Sequence, residues 1–560
     1  MKTIYLQTIL SLLCLPILGQ AHDDKPDYTS PVPRYIFPLN LEEQEEALKV
    51  NPLMKRFADS RQKLSHDPYR PIFHFVNPEG NLNDPNGFCF WNGNWHLFYQ
   101  AYPPEDPRQH WGHAISKDLV HWRDLPLAIY PNPERASFSG SALVEEDRVI
   151  AHYHGTEAGN MIAISSDPLL LNWEKLTGEA VIPMVNRDTV KLNGIPLPQH
   201  VYDPFLWEED GIYYSISGWR DTHETIGRPV ATVELYRSPD LVNWEYMHPF
   251  IEGDRFTMVG DDAACPYFWP IGDRHIMLFY SHYSGGQYFL GDYDKDRNKF
   301  IPTSHGYFNH GPDRPGGVHA PSATPDGQGG VIAIFNINTH RQILPTKGWN
   351  QIMSLPMRLT LRGRDELGIE PAGYIEALRY NHERANRMIL PANQEIVLDN
   401  IKGNAIEIKI EIDPKNAQHV EFNVLRSPDR EEFTRIVFYR NTGFMTREIP
   451  RVQYSTLSID TDNSSILPDA RSRPTENAPL YLESDENLKL RVFIDKSVVE
   501  VFANGKLYAA VRVYPGLEES TGVSISSRGQ ESELISLDAW QMKNTWDISL
   551  DEWHAMPVWR

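Results

Sequence analysis

Aspartates set among Asn, Pro and Gly are the residues of this chain best suited to bond-breaking chemistry. Asp84 stands in Asn81-Leu82-Asn83-Asp84-Pro85-Asn86-Gly87, and Asp203 in Tyr202-Asp203-Pro204. Taken singly each stretch reads as a turn, because Asn, Asp, Pro and Gly are all turn formers. Taken together, two carboxylates from separate segments can cleave a glycosidic bond, one as nucleophile and the other as acid/base. Competing chemistries lack their signatures: there is no G-x-G-x-x-G or phosphate-binding loop, no G-x-S-x-G elbow and no H-E-x-x-H helix. His110, His113 and His319 have no metal-ligand spacing and read as structural histidines.

Carboxylates so far apart in sequence need a rigid frame to meet. From Pro71 onward, short runs such as Trp95-His96-Leu97-Phe98-Tyr99 and Ile212-Tyr213-Tyr214-Ser215-Ile216 alternate with Asn, Asp, Gly and Pro clusters. These are strands with turns between them, and long helices are scarce up to residue 370. A weak repeat gives the strands an order. Ser116-Lys117-Asp118-Leu119-Val120-His121-Trp122 is echoed by residues 166–173 and 238–244, and more loosely from Gly291 to Phe300. A period of this size signals propeller blades, four-stranded sheets packed radially. Further on, Ile406, Ile408, Ile410 and Ile412 alternate with charged residues, and Leu490, Val492 and Ile494 continue the period of two. That pattern predicts antiparallel strands in a β-sandwich.

The 560 residues carry 53 Lys+Arg against 75 Asp+Glu, a net charge of −22. No basic stripe is available to neutralise phosphates, which argues against nucleic acid and anionic membrane as partners. An apolar run over residues 4–18 follows Lys2 and ends in Gly19-Gln20-Ala21. It is too short to span a bilayer and reads as a secretory signal over 1–21, which implies a secreted, extracellular or periplasmic protein. Cys14 leaves with that signal, so Cys89 and Cys265 are expected to be free, buried thiols. Asn463-Ser464-Ser465 is a glycosylation sequon, meaningful only in a glycosylating host.

The motifs add a resemblance. The stretch Asn81 to Gly87 resembles the nucleophile motif of glycoside hydrolase family 32, the β-fructofuranosidases. The likeness continues through Phe98-Tyr99-Gln100, Trp111-Gly112-His113-Ala114, Phe138-Ser139-Gly140-Ser141, Leu355-Pro356-Met357-Arg358 and the run from Asp495 to Phe502. It implies an all-β fold, a five-bladed β-propeller followed by a C-terminal β-sandwich, in agreement with the strand pattern. It implies Asp84 as nucleophile and Asp203 as transition-state stabiliser. Asn83, Gln100, Trp111, Phe138 and Ser139 would then line the sugar subsite, Trp111 offering an apolar face. No cofactor or metal is implied.

Two positions depart from the family. Its Arg-Asp-Pro is Tyr202-Asp203-Pro204 here, so Tyr202 adjoins the stabiliser without a cation. Its acid/base Glu before Cys-Pro is Ala264, in Gly260-Asp261-Asp262-Ala263-Ala264-Cys265-Pro266. If this segment is extended, Asp262 shares a face with Ala264 and Asp261 points the other way. Asp262 is therefore expected as the acid/base, with Asp261 second and near the substrate. The reading is a retaining hydrolase of sucrose or inulin- or levan-type fructans. Its rivals are fructosyl transfer to a sugar, or a carbohydrate-binding protein that lost catalysis with the Glu. The expected domains are a partly helical extension over 22–67, the propeller over 68–385, the sandwich over 386–545 and a tail over 546–560. The sandwich is a candidate surface for homo-oligomers.

Overall fold

A computed structural model describes residues 26–560 except 185–189, 193–194, 198–200, 223–228, 254, 259, 313–316, 340–345, 447–450 and 471–472. The expected signal over 1–21 lies outside the described residues. Two antiparallel β units follow one another. Between Asn81 and Pro371 lie five sheets of four or five strands, each built in chain order from a local run of strands. Their first strands are Asn81–Trp91, Ser137–Val144, Tyr202–Glu209, Ala264–Ile271 and Gly317–Pro325. Each first strand touches its two neighbours, and the cycle closes between the first and the fifth, as a propeller requires.

The repeated Asp-Leu-x-x-Trp is the turn from the third to the fourth strand. Asp118 accepts from the Val120 and His121 amides, Asp167 from Leu171 and Asn172, and Asp240 from Val242 and Asn243. Leu119, Leu170 and Leu241 take the positive φ that closes each loop. The looser copy occupies the same place in the fourth sheet, where Asp294 accepts from the Arg297 amide.

The second unit stacks a seven-stranded sheet on a six-stranded one over a Leu/Ile/Val core. Its first strand, Arg379–Ala385, pairs with Ser532–Met542. The expected boundary at 385/386 is thus corrected to a point before Arg379. The strand was illegible because Arg379-Tyr380-Asn381-His382-Glu383-Arg384 has no apolar alternation.

The late motif Asp495 to Phe502 joins the two units. Buried Asp495 accepts from the amides of Ile72, Phe73 and His74, and lies 2.9 Å from His74 Nδ1. Glu500 lies 3.4 Å from His74 Nε2 and accepts from the Leu355 amide and the Tyr508 hydroxyl. The terminal segments brace the first two sheets. Helices α1 (Leu41–Val50) and α2 (Pro52–Leu64) are N-capped by Asn40 and Asn51. Phe37 and Leu48 share a cluster with Ile115, Leu125, Leu169, Leu171 and the C-terminal Trp553. Among the described residues no helix is long and apolar enough to cross a membrane.

Candidate active site

Each of the five first strands breaks register near its start: between Leu82 and Pro85, Ser137 and Gly140, Tyr202 and Phe205, Ala264 and Tyr267, and Val318 and Pro321. A bulge inserts a residue, bends the strand and re-aims a side chain. Proline tolerates such a place because no ladder hydrogen bond is asked of it. The residues re-aimed here are Asp84, Ser139, Asp203, Cys265 and Ala320, each followed by Pro or Gly. All lie toward one end of the ring. Asp203 and Cys265 hold positive φ, 47° and 50°, a strain that persists only where the surroundings impose it.

The Cys265 thiol joins the two aspartates. Its Sγ lies 3.7 Å from Asp84 Oδ2 and 3.6 Å from Asp203 Oδ2, and its amide donates to the same Asp203 oxygen at 3.3 Å. Asp84 also accepts from Ser139 Oγ at 2.8 Å and Gln100 Nε2 at 3.2 Å. Gln100 donates to Ser139 as well and accepts from Asn83, which is held in turn by Asn336 and Gln351. A continuous amide relay therefore fixes the Asp84 carboxylate and leaves polar edges around it.

Burial raises the Asp84 carboxyl above its ordinary value, opposed by Ser139, His319, His282 and Cys265. Burial, joined by the charge of Asp84, raises Asp203 to about 7. With Tyr202 in place of an arginine, no cation stands beside Asp203 in sequence to draw it back down. Tyr202 instead packs its ring on His154 at 4.9 Å, and His154 faces Phe138 at 6.0 Å, which makes an aromatic wall.

Two expectations are corrected, those for Trp111 and Asp261, and Asp262 is found paired to a histidine. Trp111 has no exposed surface; its indole packs against Phe98 and Tyr153 and donates to the Phe138 carbonyl at 2.8 Å. It braces Phe138 and Ser139 and offers no face to a sugar. Asp261 is buried, with its oxygens taken by Ser281, Ser284 and the Met258 amide, so it is turned away from any substrate. Asp262 spends both oxygens on His282, accepting from its amide at 2.9 Å and lying 2.8 Å from its Nδ1.

Cys89 and Cys265 are free and buried, as expected. His110 and His113 are buried; His110 contacts Ser30, and His113 lies 3.0 Å from His96. His319 is buried behind Tyr280, their rings stacked at 4.8 Å. Motif reading missed Cys265, His282, Asn336 and Gln351 as parts of the site. The x-Pro bulge shared by Asp84-Pro85, Asp203-Pro204, Cys265-Pro266 and Ala320-Pro321 is the signal that would have pointed to Cys265.

Comparison with known proteins agrees with this geometry. Residues 74–371 match the Glycosyl hydrolases family 32 N-terminal domain, and residues 374–541 match the Glycosyl hydrolases family 32 C terminal domain. The chain belongs to glycoside hydrolase family 32. It is 27% identical to a levanase of Bacillus subtilis, over 87% of this chain and 73% of that one. It is 25% identical to a sucrose-6-phosphate hydrolase of Zymomonas mobilis, over 82% and 90% of the two chains. Among solved structures, fructan 1-exohydrolase IIa from Cichorium intybus superimposes with a TM-score of 0.73 at 23% identity, covering 85% of this chain and 98% of that one. In this family 32 glycoside hydrolase the residue before Cys265-Pro266 is Ala264.

Proposed function

We propose that the chain is an exported, retaining glycoside hydrolase that cleaves β-fructofuranosidic bonds in sucrose or in inulin- or levan-type fructans. One observation carries the reading: Asp84 and Asp203 meet at a single thiol, inside a ring of amide and hydroxyl side chains at one end of the propeller. In this reading Asp84 attacks C2 of the fructosyl unit and forms a covalent ester, which water later opens with retention. Asp203 accepts hydrogen bonds from sugar hydroxyls, and these strengthen as positive charge develops on the ring. Gln100, Asn83 and Ser139 hold Asp84 in line, and Phe138 and Tyr202 supply apolar contact. Relatives named for levan, fructan and sucrose-6-phosphate support the substrate class.

Ala264 favours a second reading, a carbohydrate-binding protein without turnover. Incubation of the purified protein with sucrose, inulin and levan separates the two. Release of fructose supports hydrolysis, a glucose excess over fructose from sucrose indicates transfer, and binding without products indicates the second reading. N-terminal sequencing of protein recovered from outside the cytoplasm tests export.

A further inference from the structure

With Ala264 unable to carry a proton, the site needs a donor close to the aspartates yet open enough to meet a departing sugar. Among the described residues, Cys265, His319 and His282 act on Asp84 or Asp203, and the Tyr102 and Tyr267 phenols feel the same charges but are raised by burial too far to serve as acids. Cys265 is enclosed between the two carboxylates, where burial and their charges hold its thiol protonated too firmly to serve as an acid. His319 is buried behind the Tyr280 ring. His282 remains.

Its place follows from strand register. Ala264 pairs with Tyr280 across the fourth sheet, and the same register carried two residues outward sets Asp262 opposite His282. The pairing is made by side chain and backbone together: Asp262 accepts from the His282 amide and clamps Nδ1. The Tyr280 ring, 4.8 Å from the imidazole, supports it from the Ala264 side. The His282 side chain is 53% exposed, so it stands at the open end, whereas Asp203 is nearly closed off. The charges of Asp84 and Asp203 both favour its protonated form. With Nδ1 held by a carboxylate, Nε2 is the nitrogen left to exchange a proton, the division of roles by which a carboxylate orients a catalytic imidazole.

We propose that His282 is the acid/base of this enzyme, taking over the work of the missing glutamate, and that Asp262 is its positioning residue. The inference rests on the fructosidase reading. As Asp84 bonds to C2, the C2–O glycosidic bond breaks and the proton on His282 Nε2 passes to the departing oxygen. In the second half, neutral Nε2 takes a proton from water as the water oxygen bonds to C2 and the Asp84 ester bond breaks. The proton is thereby restored and no other reagent is needed. Partial desolvation of this half-exposed imidazole lowers its affinity for a proton, but Asp262, Asp203 and Asp84 together outweigh this and raise it above the ordinary histidine value. The Tyr280 ring packs against this imidazole, and the His319 imidazole stacks on the Tyr280 ring in turn.

The test compares kcat/KM of wild type, His282→Ala and His282→Gln on sucrose, or on the fructan that proves to be cleaved, and on 4-nitrophenyl β-D-fructofuranoside, whose leaving group needs no proton. Both variants should lose about 10²–10⁴-fold on the natural glycoside and far less on the aryl one. Both should also lose the alkaline limb of the pH profile. Azide should restore turnover of the aryl substrate by His282→Ala and give a fructosyl azide of retained configuration. Asp262→Asn should keep partial activity and move the alkaline limb to lower pH, which a merely structural role would not do. Equal losses on both substrates, or an unchanged alkaline limb, would overturn the assignment. Failure of the fructosidase reading looks different: wild type would cleave neither substrate, or Asp84→Ala would retain activity on both.

Discussion

The staple between the two β units makes stability depend on pH in a calculable way. His74 is fully buried; burial alone would lower its proton affinity, but Glu500 and Asp495 outweigh it and raise the imidazole from 6.5 to about 9. A group whose folded-state value is raised holds its proton more tightly in the native chain. Its contribution is therefore complete below about pH 6.5 and is lost as pH climbs through about 9. Each pH unit between those two values corresponds to about 1.4 kcal/mol, so the stabilisation at stake is on the order of 3 kcal/mol. For a chain of this length the unfolding entropy makes that roughly 3 °C in Tm. The assay is thermal unfolding by circular dichroism at fixed ionic strength between pH 6 and 9.5, for wild type and His74→Gln. Subtracting the variant removes every other group that titrates in the window, Asp203 and His282 included. The wild-type advantage should be largest at pH 6 and shrink steadily toward pH 9.5. A difference between the two curves that stays constant across the range, or grows with pH, would show that the imidazole does not hold its proton this way.

Other outcomes follow from the site itself. Asp84→Ala should reduce fructose release at least about a thousandfold while leaving the circular dichroism spectrum unchanged; normal turnover would remove the nucleophile assignment. Asp203→Asn should lower kcat about 10²–10³-fold and displace the acid limb of kcat/KM, because the Asp84–Asp203 pair titrates together with one member raised to about 7. An acid limb left in place would count against that coupling. Ellman's reagent should leave the native protein untouched and react with Cys89 and Cys265 only after unfolding in guanidinium, since burial raises both thiols. Gly87→Ala should destabilise by about 1–3 kcal/mol, because Gly87 has φ of 49° and an added Cβ would lie 2.9 Å from the Trp111 ring. A melting temperature equal to wild type would show that the indole moves aside freely.

Much of this molecule was legible residue by residue because its signals are local. Period-two alternation in residues 406–412 marks a strand wherever it sits, and the Asp-Leu-x-x-Trp turns are written in the side chains that close them: an Asp that accepts nearby amides and a Leu at positive φ. The aspartates of the site were legible through the turn-forming Asn, Asp, Pro and Gly around them and through the resemblance those motifs carry, and the structure places each of them before the proline of a strand bulge. Functions that arise only between segments depend on how the folded sheets meet. Trp111 and Asp261 carry residue types suited to sugar contact, yet packing turned one into a brace and hydrogen bonding drew the other inside, and neither outcome leaves a trace in its sequence neighbours. His282 carries no motif at all. It becomes a candidate for chemistry because strand register sets it opposite Asp262 and ring closure brings Asp84 and Asp203 near, and electrostatic coupling depends on distance through space, which a one-dimensional order of residues does not contain.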